Sequence, residues 1–186
     1  MKTIIQASVL FVLIILITLS SISFVTHNAL KDELISSVSN GAEQTMNLMY
    51  IYKAYSYDSY DEVIYDVLQN IILSKSSDST LTVNIYNKSA LANGILDIEA
   101  IEHYQGLGGV ARQAEYRVRI FVYQSPEGST YIKYAEPDTD ANLSEQWVFT
   151  SEDITNIKNF LLSSDGNTPS SERNHTFGNQ FSSCKQ

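Results

Sequence analysis

The first thirty residues contain an uninterrupted apolar segment that limits what this chain can fold into. No Asp, Glu, Lys or Arg occurs between Lys2 and Lys31, and Val9 to Leu19 is apolar at every position but one. As a helix rising roughly 1.5 Å per residue, Ile4 to Val25 is long enough to cross the roughly 30 Å of a bilayer's hydrocarbon layer. The sequence therefore predicts a transmembrane anchor over residues 1–26.

A secretory signal peptide is the alternative interpretation of this segment. Signal peptides also begin with a positive residue, but their apolar core has about 7 to 15 residues and is followed by small residues before the cut. Ser21-Ile22-Ser23 would provide such a site, whereas Phe24 and Val25 resume the apolar run. The length favours an uncleaved anchor, and cleavage after Ser23 is the competing prediction.

The charges predict how the anchor is oriented. Basic residues concentrate on the cytoplasmic side of a span, and Lys2 lies on the N-terminal side, whereas Lys31 is followed at once by Asp32 and Glu33. We expect a single-pass protein of the cell membrane, with a cytoplasmic N-terminus and the C-terminal domain outside. Without Lys2, that domain has 11 basic and 21 acidic side chains, a net charge of about −10. This balance argues against nucleic acid as a partner, because nucleic-acid binding needs a positive surface.

The helical pattern continues beyond the anchor. No proline interrupts Ile4 to Met49, and apolar residues recur every four positions with polar residues between them. Gly41 costs roughly 1 kcal/mol within such a helix and would permit close packing or a bend. The sequence predicts one helix of about 45 residues whose second half packs on a domain. The residues of the predicted packing face are Leu30, Leu34, Val38, Ala42 and Met46.

A second helix and a small sheet are predicted downstream. Ser59 and Glu62 have the spacing of a capping box, and an apolar helical face follows as far as Leu73. The period of the pattern then changes from helical to two. Strands are predicted around Leu81–Tyr86, Leu96–Ile101, Tyr116–Tyr123 and Thr130–Tyr134.

These elements together indicate an α+β fold, with an antiparallel meander of about four strands packed on the long helix. Thr150 and Asp153 predict the start of a short helix after the sheet. Residues 27–162 are expected to form the extracytoplasmic domain, and residues 163–186, rich in Ser and Asn, a disordered polar tail. The single cysteine, Cys184, excludes an internal disulfide.

Charged residues of the predicted strands are expected to pair across the sheet. Asp97, Glu99 and Glu102 lie on one predicted strand, and Arg117 and Arg119 lie on the next. Opposite charges on neighbouring strands stabilise a register by roughly 0.2 to 1 kcal/mol per pair. We therefore interpret these residues as structural and not as an acid and base pair.

Few residues have the spacing of a chemical site. Asp138, Asp140 and Asn142 match the first three ligand positions of a calcium loop, but Leu143 and Phe149 occupy the positions of its glycine and its bidentate glutamate. They are the only metal candidates, because the three histidines have no paired spacing. No cofactor and no catalytic residues are predicted. A further group could form a binding surface or cover an edge of the core: Tyr50, Tyr52, Tyr55, Tyr57 and Tyr60.

The order of the elements carries a resemblance to a known class of protein. A long N-terminal helix, apolar then amphipathic, followed by a small antiparallel sheet resembles a type IV pilin or pseudopilin. The strings LTVNIYN, GILDIEAIEHY and EYRVRIFVY, in that order from Leu81 onward, resemble small single-pass proteins that accompany Tad-type pilus assembly genes in Gram-positive bacteria. This resemblance implies a minor or accessory pilin-like subunit whose helix bundles with those of other subunits.

The resemblance has one specific departure. Pilins are cut at a glycine just ahead of the apolar run and have a glutamate early in the mature helix. Here no glycine occurs before Gly41 and no acidic residue before Asp32, which favours an anchor that is not processed in that way. The alternative functions are a membrane-anchored extracytoplasmic binding module and a protein secreted after signal cleavage.

Overall fold

The computed structural model describes residues 2–51, 59–75, 79–163 and 170–186, and its longest element is the first helix. Helix α1 spans Lys2–Met46 and continues as a π-helical turn over Asn47–Ile51. The predicted helix of about 45 residues is therefore confirmed. It forms because no proline and no cluster of turn residues interrupts the first 49 positions.

Helix α2 spans Tyr60–Ser74 and begins where the capping box predicted. The Glu62 N–H donates to the Ser59 side chain at 3.4 Å, which supplies a partner for one of the free N–H groups of the first turn. Asp61 and Glu62 add negative charge at the positive end of the helix dipole. The buried face of α2 packs against α1, so that the two helices form one layer.

Five antiparallel strands form a single sheet in the order β4-β3-β2-β1-β5. The four predicted strands are present and form the predicted meander. The fifth strand, which contains Gln146 to Phe149, was not predicted, and it pairs with β1. The strands are β1 Thr80–Tyr86, β2 Ile95–Gln105, β3 Ala111–Gln124, β4 Thr130–Ala135 and β5 Leu143–Phe149.

The two faces of the sheet differ in character. Alternate residues such as Val83, Ile98, Val118 and Trp147 are buried on the face that meets the helices. The opposite face carries Asp97 and Glu99 of β2 and Arg117 and Arg119 of β3. The domain is therefore a helical layer on one face of a sheet, with its core between the two layers.

The C-terminal residues differ from the sequence prediction. Helix α3 spans Ser151–Ser163 and starts, as predicted, at a reciprocal pair in which the Thr150 N–H donates to Asp153 and the Asp153 N–H donates to Thr150. The prediction of a disordered tail is wrong for the described residues 170–186. Helix α4 spans Ser170–Gln180, and Phe177 and Phe181 are buried against the core. The helix is also bonded to α2 through the buried Asn174, which accepts from Gln69 at 2.7 Å, although the average composition of the segment is that of a disordered chain.

Candidate membrane and assembly surface

The first half of α1 stays outside the core. From Ile5 to Val25 its large apolar side chains are exposed, including Phe11 at 64% and Phe24 at 67%. No described residue of the most apolar window is buried, and the helix is long and apolar enough to cross a membrane. Soluble proteins rarely expose an apolar surface this large, and one of this size marks a contact with lipid or with another protein.

The hydroxyl groups of this apolar run donate to the helix itself. Thr18 donates to the Ile14 carbonyl at 2.8 Å, and Ser21 donates to the Ile17 carbonyl at 2.9 Å. Thr26 makes the same four-residue contact at the end of the run. Hydrogen bonds of this kind suit a hydrocarbon environment, where a polar group without a partner costs several kcal/mol.

The second half of α1 packs on its own domain. Leu34, Val38, Ala42 and Met46 of the predicted packing face are buried, and Leu30 is half-buried where the domain begins. Their side chains belong to the same core as those of α2 and the sheet. The predicted packing face is therefore occupied within the chain, whereas the apolar run is left open to another molecule.

Gly41 lies at the closest approach of α1 and α2. A Cβ atom at this position would lie 2.9 Å from both the backbone nitrogen and the Cγ1 atom of Ile71. Backbone atoms cannot move away without moving the helix, so a larger residue would push α1 and α2 apart. Gly41 was expected to permit either close packing or a bend, and the structure shows close packing.

Three tyrosines of the sheet contact α1 along its length, and we call them the tyrosine row: Tyr104, Tyr116 and Tyr134. They lie on β2, β3 and β4, on the face of the sheet that meets the helices; Tyr134 is on that face because it pairs with the buried Ile120. The hydroxyl of Tyr104 lies 2.8 Å from His27 Nδ1, and that of Tyr116 lies 3.4 Å from Ser39 Oγ. The rings of Tyr104 and Tyr116 are partly buried against the core, whereas that of Tyr134 is 46% exposed; each hydroxyl meets a polar side chain of the helix.

The third contact of the tyrosine row also changes the pKa of the Tyr134 hydroxyl. Tyr134 donates a hydrogen bond of 2.5 Å to the Glu43 carboxylate. Burial first, and then this carboxylate, raise the pKa of Tyr134 well above its usual range. Sequence reasoning missed the row because it looked for tyrosines close together in the chain. The signal was present in the period-two pattern of β2 and β3, since Tyr104 and Tyr116 alternate in step with the buried residues of their strands.

The predicted tyrosine cluster is described only in part. Tyr52, Tyr55 and Tyr57 lie outside the described residues. Tyr50 donates to the Leu91 carbonyl, and burial raises the pKa of its hydroxyl. Tyr60 is exposed at the start of α2. In the described part, the cluster therefore contains one structural tyrosine and one surface tyrosine.

Asp138, one of the three calcium candidates, has partners within the protein. The segment between β4 and β5 crosses the outer face of the sheet, and its Asp138 carboxylate pairs with Arg119 at 3.0 Å. That hydrogen bond lowers the pKa of the Asp138 carboxyl. Arg117 donates to the Asp138 carbonyl at 2.8 Å. Asp140 and Asn142 place their backbone N–H groups, not their side chains, in hydrogen bonds to Asp138 and Asn87.

The expected cross-strand charge pairs are present around Asp97. This carboxylate is buried and accepts from Arg117 at 3.3 Å and from Arg119 at 3.0 Å. Glu99 instead accepts from Asn84 and Tyr86. Glu102 lies on the other face of the sheet from Asp97, where it forms a buried ion pair with Lys75 of 2.7 Å. The arginines therefore hold the crossing segment on the sheet.

No group of three or more His, Cys, Asp or Glu side chains able to hold a metal ion occurs among the described residues. Comparisons of the chain with protein families, with curated proteins and with solved structures gave no match. The functional conclusion therefore depends on the geometry of the chain itself, above all on the two halves of α1.

Proposed function

We propose that this protein is a pilin-like minor or accessory subunit of a Tad or type IV pilus-like assembly or secretion system. In this proposal the N-terminal half of α1 holds the chain in the cell membrane, with the N-terminus in the cytoplasm and the domain outside. The observation that carries the proposal is the division of one continuous helix into an exposed apolar half and a packed amphipathic half. A filament subunit needs both halves, one for lipid and neighbouring helices and one to hold its own domain.

Two features support an anchor that stays attached. Ser21-Ile22-Ser23, the alternative cleavage site, lies inside α1, which continues without a break to Met46. Just beyond that site, His27 bonds to Tyr104 of the sheet, so the helix is already part of the domain at this point. Mass spectrometry of the native N-terminus tests this: a mature chain beginning at Phe24 would refute the anchor and support secretion.

The assembly part of the proposal is tested by photo-crosslinking in the native membrane. A photoreactive residue replaces Ile14, which is 54% exposed in the apolar run, or Val38, which is 0% exposed. From Ile14 we expect a covalent product with the N-terminal helix of another pilin-like subunit, identified by mass spectrometry. From Val38 we expect intramolecular products only.

The absence of crosslinks from Ile14 to a second helix would contradict assembly. Products at Ile14 that contain lipid and never a second helix would refute assembly and leave a membrane-anchored binding module as the better function. The gene neighbourhood provides an independent check, because a pilus subunit is expected beside genes for an assembly ATPase and a membrane platform protein. The proposed role is structural and involves no catalytic step.

A further inference from the structure

The hairpin that joins β2 to β3 extends from the domain toward the apolar run of α1. Its tip, Gly106 to Val110, contains no charged side chain. Together with α1 it encloses a cleft of about 290 Å³. The cleft is lined on the helix side by Ile22, Ser23 and Thr26, and on the hairpin side mainly by Tyr104, Leu107 and Gly108.

The cleft between the tip and α1 sets the depth of the tip relative to a membrane that α1 would cross. The apolar run ends at Val25, and the first charge after it is Lys31. The edge of the hydrocarbon layer therefore falls near Val25, and Ile22 lies roughly 4 to 5 Å below it at 1.5 Å per residue. Because the tip lines a cleft with Ile22 and Thr26, it lies at the same level.

The exposed side chains of the tip are apolar, as expected at the edge of the hydrocarbon layer. Leu107 is 47% exposed and Val110 is 58% exposed. Either would be ordinary alone on a soluble surface, but here Leu107 lines the cleft with the exposed apolar run, and Val110 lies in the same turn. Tyr104, whose hydroxyl bonds to His27, adds a side chain that is enriched at membrane interfaces, where its ring is in an apolar region and its hydroxyl in a polar one.

The backbone of the tip is compatible with shallow insertion. The Gly106 N–H donates to the Val110 carbonyl at 2.8 Å, and the Gly109 N–H donates to the Gly106 carbonyl at 3.1 Å. Gly108 and Gly109 have positive φ values of 78° and 75°, and a Cβ atom at either would meet nothing within 4 Å. The turn is therefore narrow and open to its surroundings, with part of its backbone hydrogen bonding satisfied internally.

We infer that the β2–β3 hairpin tip is a second membrane-contact site, in which Leu107 and Val110 enter the boundary between lipid headgroups and acyl chains. The inference rests on the proposed membrane anchor but not on filament assembly. Its occupant is the lipid bilayer, because the tip continues the apolar surface of the span at the level where that surface ends. Contact at both α1 and the tip would fix the tilt of the domain on the membrane.

The test measures tryptophan quenching in the full-length protein. Leu107→Trp, and separately Val110→Trp, are reconstituted into phosphatidylcholine vesicles that contain lipids spin-labelled near the headgroup or near the chain end. Glu127→Trp is the matched control, since it lies in the β3–β4 turn at the opposite end of β3, about 45 Å away along the strand. Trp147 is fully buried, and its emission in the unmodified protein is subtracted from each variant.

We expect the tip variants to show blue-shifted emission and loss of intensity, with the greater loss from the shallow label, and Glu127→Trp to be unaffected. Tip emission as insensitive as that of Glu127→Trp, in protein that resists carbonate extraction, would overturn the inference and leave the anchor intact. Equal quenching of tip and control would also overturn it, since the whole domain would then lie on the membrane. Release of the protein by carbonate would refute the anchor, and the inference with it.

Discussion

Replacing Phe177 by alanine measures how firmly the C-terminal helix is docked. Phe177 is 0% exposed, with ring centroids 5.8 Å from Tyr65 and 5.2 Å from Phe181. Truncation of a buried phenylalanine to alanine costs roughly 3–5 kcal/mol, which includes the cavity left behind. Each of the two aromatic contacts contributes about 0.5–1.5 kcal/mol of specific interaction. We therefore expect Phe177→Ala to lower the free energy of unfolding by about 4 kcal/mol.

The natural reporter for this variant is Trp147. Its ring meets Tyr65 edge-on at a centroid distance of 5.7 Å, and Tyr65 in turn contacts Phe177. Urea unfolding of the full chain in detergent, followed by Trp147 emission, should show an earlier midpoint. Trypsin should cut more rapidly at Arg173, because the loss of this contact favours opening of α4. Gln180→Ala is the matched control, since Gln180 is exposed on the same helix.

A small effect would refute the reasoning. Substitutions on a surface away from special features usually change stability by less than about 0.5 kcal/mol. If Phe177→Ala and Gln180→Ala both fell within that range and were cut equally, α4 would not be part of the core. The disordered tail predicted from composition would then be the better description of residues 170–186.

Three further predictions test other contacts. Gly41→Leu should destabilise the domain by roughly 1–3 kcal/mol in urea unfolding through overpacking against α2, whereas Asn40→Leu, on the exposed side, should not. Lys75→Met should cost roughly 3–5 kcal/mol because it leaves the Glu102 carboxylate buried without its ion pair, and the double variant with Glu102→Leu should recover most of that loss in thermal unfolding. Burial raises the pKa of the Cys184 thiol to about 11, which lowers its thiolate fraction at pH 8 roughly a hundredfold. Because a thiolate of higher pKa is more nucleophilic, its alkylation at pH 8, followed by mass spectrometry, should be at least about tenfold slower in folded than in unfolded protein. A normal alkylation rate in folded protein would contradict this.

Much of the fold follows from local patterns in the sequence. The four-residue repeat from Leu30 to Met46 predicted the buried face of α1, and the capping residues Ser59 and Thr150 predicted where α2 and α3 begin. Period-two alternation predicted β1 to β4 in their observed order. These signals are local because capping and alternation depend on neighbours within a few positions.

The features missed by sequence reasoning depend on distant contacts. β5 is a strand because the Gln146 to Phe149 run lies against β1, and nothing in its own sequence specifies that partner. Phe177 is buried by Tyr65, a residue more than a hundred positions earlier. The partner of Glu102 is likewise Lys75 from the end of α2 and not an arginine of β3. Composition and period carry no information about such pairings, so they could not be predicted.

The contacts of α1 imply that the apolar run and the domain keep one orientation relative to each other. The helix runs without a break from the apolar run into the core, Gly41 lies directly against α2, and the tyrosine row bonds to it at His27, Ser39 and Glu43. A flexible linker would let the domain rotate freely relative to the apolar run, whereas these contacts couple the orientation of the two. Under the proposed function, a neighbouring helix that binds the apolar run would therefore orient the whole domain, which is what a subunit in an ordered assembly requires.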